Sequence, residues 1–241
     1  MGQASRTRIM VDYWQQGQHA THQYKERLVG LVKPGMRLLH GGCGWDKNES
    51  SRPFKETCQV VGIDLDPRVK SLFHSEFHLA SLSAIPFEGQ SFDLVFLEYV
   101  LEHVEDPASA FREMTRVLKP GGRILILTPA LYSYKSLAAY VTPQQFHVLM
   151  GRVRYGRGHE ADMYPTLYRC NTARQFERLA EANHLHITAM NFINNGPTWF
   201  EKFPVLFAVF DGFHRIIGRW ECFRQLRCAL LVELQKSIHS Y

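Results

Sequence analysis

Short apolar runs that stop at a glycine or an acid recur along the first half of the chain, with amphipathic stretches between them. Met36-Arg37-Leu38-Leu39-His40 runs into Gly41-Gly42 and predicts a strand followed by a tight loop. Gln59-Val60-Val61-Gly62-Ile63-Asp64 predicts a second strand, ending in a carboxylate. Phe92-Asp93-Leu94-Val95-Phe96-Leu97 and Arg123-Ile124-Leu125-Ile126-Leu127-Thr128 predict two more. Between these last two, Ala108 to Leu118 sets Phe111, Met114, Val117 and Leu118 on one helical face, and Lys119-Pro120-Gly121-Gly122 closes the segment. Nearly continuous apolar strands that alternate with helices belong to parallel sheets covered on both faces.

The flanks follow other patterns. Residues 8–33 read as helical, with Leu28, Leu31 and Val32 at helical spacing and Lys33-Pro34-Gly35 as the stop. Residues 131–168 are rich in Tyr, His and Arg and carry several turn signals. Asn171 to Ala182 predicts a helix with Phe176, Leu179 and Ala180 inward and Asn171 as N-cap. Leu185 to Phe192 alternates as a strand, and Cys228 to Leu234 predicts the last one. In between, residues 198–224 are strongly apolar. Phe203, Phe207, Phe210 and Ile217 stand at helical spacing, and Pro204 falls in the first turn, where it is tolerated.

Composition narrows the class. With 241 residues, 45% hydrophobic and 21% charged, the chain suits one soluble α/β domain with insertions. The five cysteines, Cys43, Cys58, Cys170, Cys222 and Cys228, form no CxxC pair, so neither a disulfide framework nor a metal site is expected and a cytoplasmic protein is the simplest reading. Met1 to Met10 has no signal-peptide core, and Phe203 to Trp220 is broken by Asp211, His214 and Arg215, short of a membrane span. The net charge of +5 mildly favours an anionic partner. No repeat or nucleic-acid-binding module is present, so nucleic acid is not the expected partner.

A strand, a glycine-rich loop and then a second strand ending in an acid can build a nucleotide site. Glycines let backbone approach a ligand, and the acid, about 20 residues on, accepts hydrogen bonds from ribose hydroxyls. Here the loop is Gly41-Gly42-Cys43-Gly44 and the acid is Asp64. Four further stretches extend the pattern: Val61 to Pro67; Ile85-Pro86-Phe87 with Ser91-Phe92-Asp93; Val100-Leu101-Glu102-His103-Val104-Glu105-Asp106-Pro107; and Arg116 to Gly122. With these five motifs in order, residues 36–130 resemble the class I S-adenosylmethionine-dependent methyltransferases, in particular the small-molecule type that includes ubiquinone and menaquinone methyltransferases.

The resemblance implies a single Rossmann-like domain over 1–241. Its sheet would be seven-stranded and mostly parallel, flanked by helices. A cofactor-binding core would span 36–130, and substrate-side insertions and a helical cap after the fifth strand would span 131–224. It also implies that S-adenosylmethionine, leaving as S-adenosylhomocysteine, lies against Gly41, Gly42, Cys43 and Gly44, with Asp64 on the ribose and Leu65 packing on the adenine. Ser81 and Leu82 would contact the adenine, and Leu97 and Glu98 would lie near the methionine part. An N-terminal helix would bring Tyr13, beside Trp14, close to the sulfonium. Three positions depart from the family's pattern: His40 where it has an acid, Asp46 where it has a glycine, and Ser81 where it has an acid. A cationic His40 would repel the cofactor's ammonium group, whereas a neutral one accepts a hydrogen bond.

Methyl transfer needs an aligned nucleophile and, for a hydroxyl, a base. His103 follows the third predicted strand on the ligand side and is the first candidate, against a structural role at the following helix. His147 and Tyr168 are further candidates. Residues 152–178 hold six arginines against three acids, and Arg152, Arg154, His159 and Arg169 are candidate contacts to an anionic acceptor. The apolar stretch 198–220 reads as core or as a hydrophobic lid over an acceptor with an apolar body. A second reading is a membrane-facing amphipathic helix, with Lys202, Arg215 and Arg219 at its flank. The expected activity is O-methylation of a hydroxyl or acid group on a small molecule such as a natural product, saccharide or quinone-like compound. N- or C-methylation, or a non-catalytic partner protein with the same fold, are the alternatives.

Overall fold

The computed structural model describes residues 19–45, 49–69, 73–141, 164–197, 200 and 203–238. In chain order these form α1 (Ala20–Leu31), β1 (Arg37–Gly41), β2 (Gln59–Asp64), β3 (Glu76–Leu79), β4 (Phe92–Glu98), α2 (Pro107–Val117), β5 (Leu118–Pro129), α3 (Tyr134–Val141), α4 (Ala173–Ala182), β6 (Leu185–Ile193), α5 (Pro204–Arg219) and β7 (Ala229–Lys236). Short 3-10 turns lie at Arg52–Phe54, Leu101–His103 and Glu221–Leu226. Tyr13, Asp46, His147, Arg152, Arg154 and His159 lie outside the described residues.

The strands make one seven-stranded sheet in the order β3-β2-β1-β4-β5-β7-β6. All neighbours are parallel except β7, which runs antiparallel to both β5 and β6. Strand order reverses between β1 and β4, and in open α/β sheets a ligand crevice opens at that point, outside the carboxyl ends of the strands.

The alternation of side chains explains the apolar runs. Leu39, Val61, Val95 and Leu97 face one way, into a core completed by Phe111, Met114 and Val117 of α2 and Phe176 of α4. Leu38, Val60, Leu94 and Phe96 face the other way, against Tyr24 and Leu28 of α1. Both faces are therefore dry, and each fully buried large side chain contributes about 1.5–3 kcal/mol. The helix predicted over 8–33 is described from Ala20, and Leu28 is its inward leucine.

Several motif residues hold elements together. Asp93 accepts from the Arg37 amide at 2.8 Å and from Lys119 Nζ at 2.8 Å on each carboxylate oxygen, joining the starts of β1 and β5. Glu113 accepts from the Ile85 amide, and Arg116 donates to the Ile85 and Phe87 carbonyls, so α2 grips the Ile85-Pro86-Phe87 turn. β5 begins at Leu118 rather than at Arg123. Leu118 already pairs with Phe92, and a register shift between Phe92 and Leu94 absorbs the glycine turn. β3 escapes the sequence pattern because it is a four-residue edge strand with no fully buried position.

The N-cap of α4 is Thr172, not Asn171. Thr172 and Gln175 form a reciprocal capping box. Asn171 is buried, and its Nδ2 donates to Thr128 Oγ1 at 2.7 Å and to the Pro129 carbonyl at 2.9 Å. Thr172→Ala is expected to lower stability by about 1 kcal/mol in urea unfolding.

Candidate active site

A cleft of about 1000 Å³ opens at the carboxyl ends of β1, β2 and β4. That is the upper end of the range for ligand pockets and gives room for a nucleotide-sized group together with a second molecule. Its wall includes Gly42, Cys43, Gly44, Asp64, Leu65, Ser81, Leu82 and Glu98. Gly41 and Leu97 do not line it. A Cβ on Gly41 would lie 2.7 Å from Leu82 Cδ2, so Gly41 is a packing position beneath the loop.

The loop is shaped by two glycines in the left-handed region, Gly42 (φ 61°) and Gly44 (φ 48°). Two of its amides are engaged within the protein. Cys43 N–H donates to the Ile63 carbonyl at 3.0 Å, and Gly44 N–H donates to Asp64 Oδ2 at 2.7 Å. The other carboxylate oxygen, Asp64 Oδ1, accepts from the Asp66 amide at 2.9 Å. The loop thus presents close backbone and positions Asp64. Each oxygen of that carboxylate keeps acceptor capacity on the cleft side. Leu65, beside it, is 71% exposed on the cleft wall.

His40 is 3% exposed and stacks on Phe96 at a centroid distance of 4.4 Å. Its Nδ1 lies 2.9 Å from Ser51 Oγ and 3.0 Å from His74 Nε2. Burial, and then the neighbouring His74, push its pKa well below the usual imidazole value, so it is neutral at neutral pH. At the family's acid position the cleft therefore gains no positive charge. A cleft carboxylate on the neighbouring strand β4 is Glu98, at its end, which accepts from Ser50 Oγ at 2.6 Å. His74 and Ser50 lie outside the motifs, and nothing in the local sequence marks them.

His103 lines the cleft from the 3-10 turn after β4. Its Nδ1 lies 2.8 Å from the Pro165 carbonyl. A carbonyl only accepts, so Nδ1 carries the proton and Nε2 keeps a lone pair. Burial lowers the pKa of this ring, which keeps it neutral. The same turn is fastened to the chain at 164–169: the Glu102 carbonyl accepts from the amides of Leu167 (2.7 Å) and Tyr168 (3.1 Å). Tyr164 reaches across to Asp66, donating from its hydroxyl at 3.2 Å, and Arg68 donates to the same carboxylate. Arg169 lines the cleft and donates to the Glu105 carbonyl. Tyr168 does not line it. Its ring is buried, its hydroxyl bonds with Ser136 and Thr166, and burial raises its pKa.

Behind His103, Glu102 is buried and accepts from Thr128 Oγ1 at 3.1 Å, which itself accepts from Asn171. Burial pushes the Glu102 carboxyl up from 4.5 to about 7. No group of residues able to hold a metal occurs among the described residues, and no residue of α5 lines the cleft.

Two tests follow from this geometry. Gly42→Ala places a Cβ 2.5 Å from Val100 Cγ1 at a left-handed backbone position, whereas Gly44→Ala meets no atom within 4 Å. The first is expected to cost about 3 kcal/mol and the second about 1 kcal/mol in thermal unfolding. For Glu102, a folded pKa above the unfolded one gives stability that is present below about 4.5 and is lost as pH rises through about 7. The stability gained by Glu102→Gln, followed by urea unfolding, is therefore expected to grow with pH across that window and level off above it.

The comparisons agree with this arrangement. Residues 39–126 match the family described as a methyltransferase domain. The ubiquinone/menaquinone biosynthesis C-methyltransferase UbiE of Escherichia coli is 31% identical over 146 residues, 55% of this chain and 58% of that protein. Phosphoethanolamine N-methyltransferase 1 of Arabidopsis thaliana is 29% identical over 119 residues, 46% of this chain and 24% of that protein. The chain therefore spans less than two thirds of these curated relatives. The geranyl diphosphate C-methyltransferase of Streptomyces coelicolor A3(2), solved with Mg2+, geranyl diphosphate and S-adenosyl-L-homocysteine, shares the fold. Its TM-score is 0.56 at 16% identity, covering 88% of this chain and 79% of that one. The reversal of strand order between β1 and β4 and the loop-to-Asp64 link thus lie within a segment, residues 39–126, that is similar to a methyltransferase domain.

Proposed function

We propose that this protein transfers the methyl group of S-adenosylmethionine to a small-molecule acceptor, with His103 receiving the acceptor's proton. One observation carries the reading. The Asp64 carboxylate and a neutral imidazole with its Nδ1 proton committed to the Pro165 carbonyl border the same cleft.

The residues present fit the cofactor. Asp64 keeps acceptor capacity on both oxygens for the two ribose hydroxyls. Leu65 and Leu82 give the adenine apolar sides, and Ser81, whose Oγ accepts from the Ser83 amide at 3.1 Å, gives a polar edge. Gly42, Cys43 and Gly44 bring backbone close to the methionine part. Glu98 supplies the negative charge for the ammonium group that the family's acid supplies at the position of His40. When bound, the cofactor contributes an electrophilic methyl group.

In this reading the acceptor atom is oxygen. A hydroxyl loses its proton to His103 Nε2, whereas an acid group needs no base. Arg169 at the cleft wall supports an anionic group on the acceptor; Arg152, Arg154 and His159, outside the described residues, are expected to add to it. The second reading, methylation at carbon or nitrogen, is supported by the reactions in the names of the two curated relatives.

Calorimetry with S-adenosylmethionine and S-adenosylhomocysteine tests the cofactor assignment. Binding is expected for the intact protein, with a loss of at least about tenfold in Asp64→Ala. Absence of binding by the intact protein defeats the proposal. His103→Ala is expected to keep cofactor affinity and slow turnover of a hydroxyl acceptor by about 10²–10⁴, read as S-adenosylhomocysteine released.

A further inference from the structure

Helix α5 carries an apolar stripe on the side that faces away from the protein. Its inner face is settled: Phe207, Asp211, His214 and Ile217 are buried. His214 bonds to Asn194 through its ring, and its carbonyl accepts from Asn194 Nδ2 at 2.7 Å. These contacts set the rotation of the helix. The outer face then presents Val205, Val209 and Ile216, which are 76%, 62% and 55% exposed. Positions spaced by four and seven residues share one side, and on a surface helix that side is ordinarily polar. The stripe continues into exposed Trp220 and Phe223, just past the helix end.

The charges beside the stripe are basic. Asp211 accepts from Arg215 and Glu221 from Arg227, whereas exposed Arg219 and Arg224 have no carboxylate against them among the described residues. We propose that the outer face of α5, with Trp220 and Phe223, docks the protein on an anionic lipid bilayer, the helix lying in the interface plane. Apolar side chains on one face, aromatic residues at the end and arginines at the flank are what such a helix uses. A second copy of the chain fits less well. A two-fold contact brings the same patch against itself, so the arginines would meet like charge, whereas anionic headgroups neutralise them. No helix among the described residues is long and apolar enough to cross a membrane, so the contact is peripheral.

The helix also stands on the cleft's edge of the sheet. β7, which follows it, starts at Ala229 opposite Pro129, the carboxyl end of β5. The neighbour of Asn194, Asn195, bonds with Tyr99, which lines the cleft. Docking through α5 therefore brings this edge of the sheet near the bilayer. The proposal is independent of the methyl-transfer reading.

Co-sedimentation with vesicles tests it. The intact chain is expected to bind vesicles of phosphatidylcholine with phosphatidylglycerol, to bind pure phosphatidylcholine far less, and to release as salt rises. Val209→Asp with Ile216→Asp should abolish binding while the far-ultraviolet circular dichroism and the melting midpoint hold. Arg219→Gln with Arg224→Gln, which leaves the apolar stripe in place, should weaken binding to the anionic vesicles by about tenfold or more. Three results would overturn the proposal: no binding of the intact chain to anionic vesicles, binding that the aspartate pair leaves unchanged, or a dimer that the aspartate pair dissociates in a chain that ignores vesicles.

Discussion

The Asp64 carboxylate joins the two turns from which the cleft is built. One oxygen accepts the Gly44 amide and the other the Asp66 amide, so the loop after β1 and the turn after β2 are held at a fixed separation. Both strands are buried and parallel, in register from Arg37–Gln59 to Gly41–Ile63, which brings the two turns out on the same edge. The left-handed backbone at Gly42 and Gly44 lets the loop double back far enough to reach the carboxylate. Gly62 makes room beneath it, since a Cβ there would lie 2.9 Å from Cys43 Sγ. The glycine-rich loop is thus less a set of free donors than a shaped wall that holds an acceptor in place.

A second layer of polar contacts holds the His103 side of the cleft. The 3-10 turn at Leu101–His103 is tied to residues 165–168 by the Glu102 carbonyl and the His103 ring, and Glu102 itself is buried behind Thr128 and Asn171. A hydrogen-bonded chain in a dry setting fixes the orientation of the imidazole. The unusual His40 belongs to the same logic of burial. Where an acid would bring negative charge, the structure has a stacked, neutral ring, and the carboxylate facing that part of the cleft comes from the adjacent strand as Glu98.

The motifs in the stretch similar to a methyltransferase domain have mostly structural parts. Asp93 anchors the starts of β1 and β5, and Glu113 and Arg116 clamp the turn at Ile85–Phe87. These residues stand out in a sequence because they satisfy backbone and charge at fixed places in the sheet.

Period and punctuation along the chain were enough to find four of the five parallel-run core strands' apolar cores, α2, α4 and the loop-to-Asp64 pairing, because each rests on local alternation or on residues about 20 apart in one βαβ unit. They missed β3, whose short half-exposed edge carries no apolar signature, and misplaced the cap of α4, because Asn171 and Thr172 are both good caps and burial against Thr128 claimed the first. Long-range packing alone could turn Tyr168 and Leu97 away from the cleft, bring Tyr164 to it, and set the protonated nitrogen of His103. The same holds for α5. The sequence shows an apolar helix, but which of its sides faces water follows from the contacts of His214 with Asn194, which lie 20 residues apart and meet only in the folded chain.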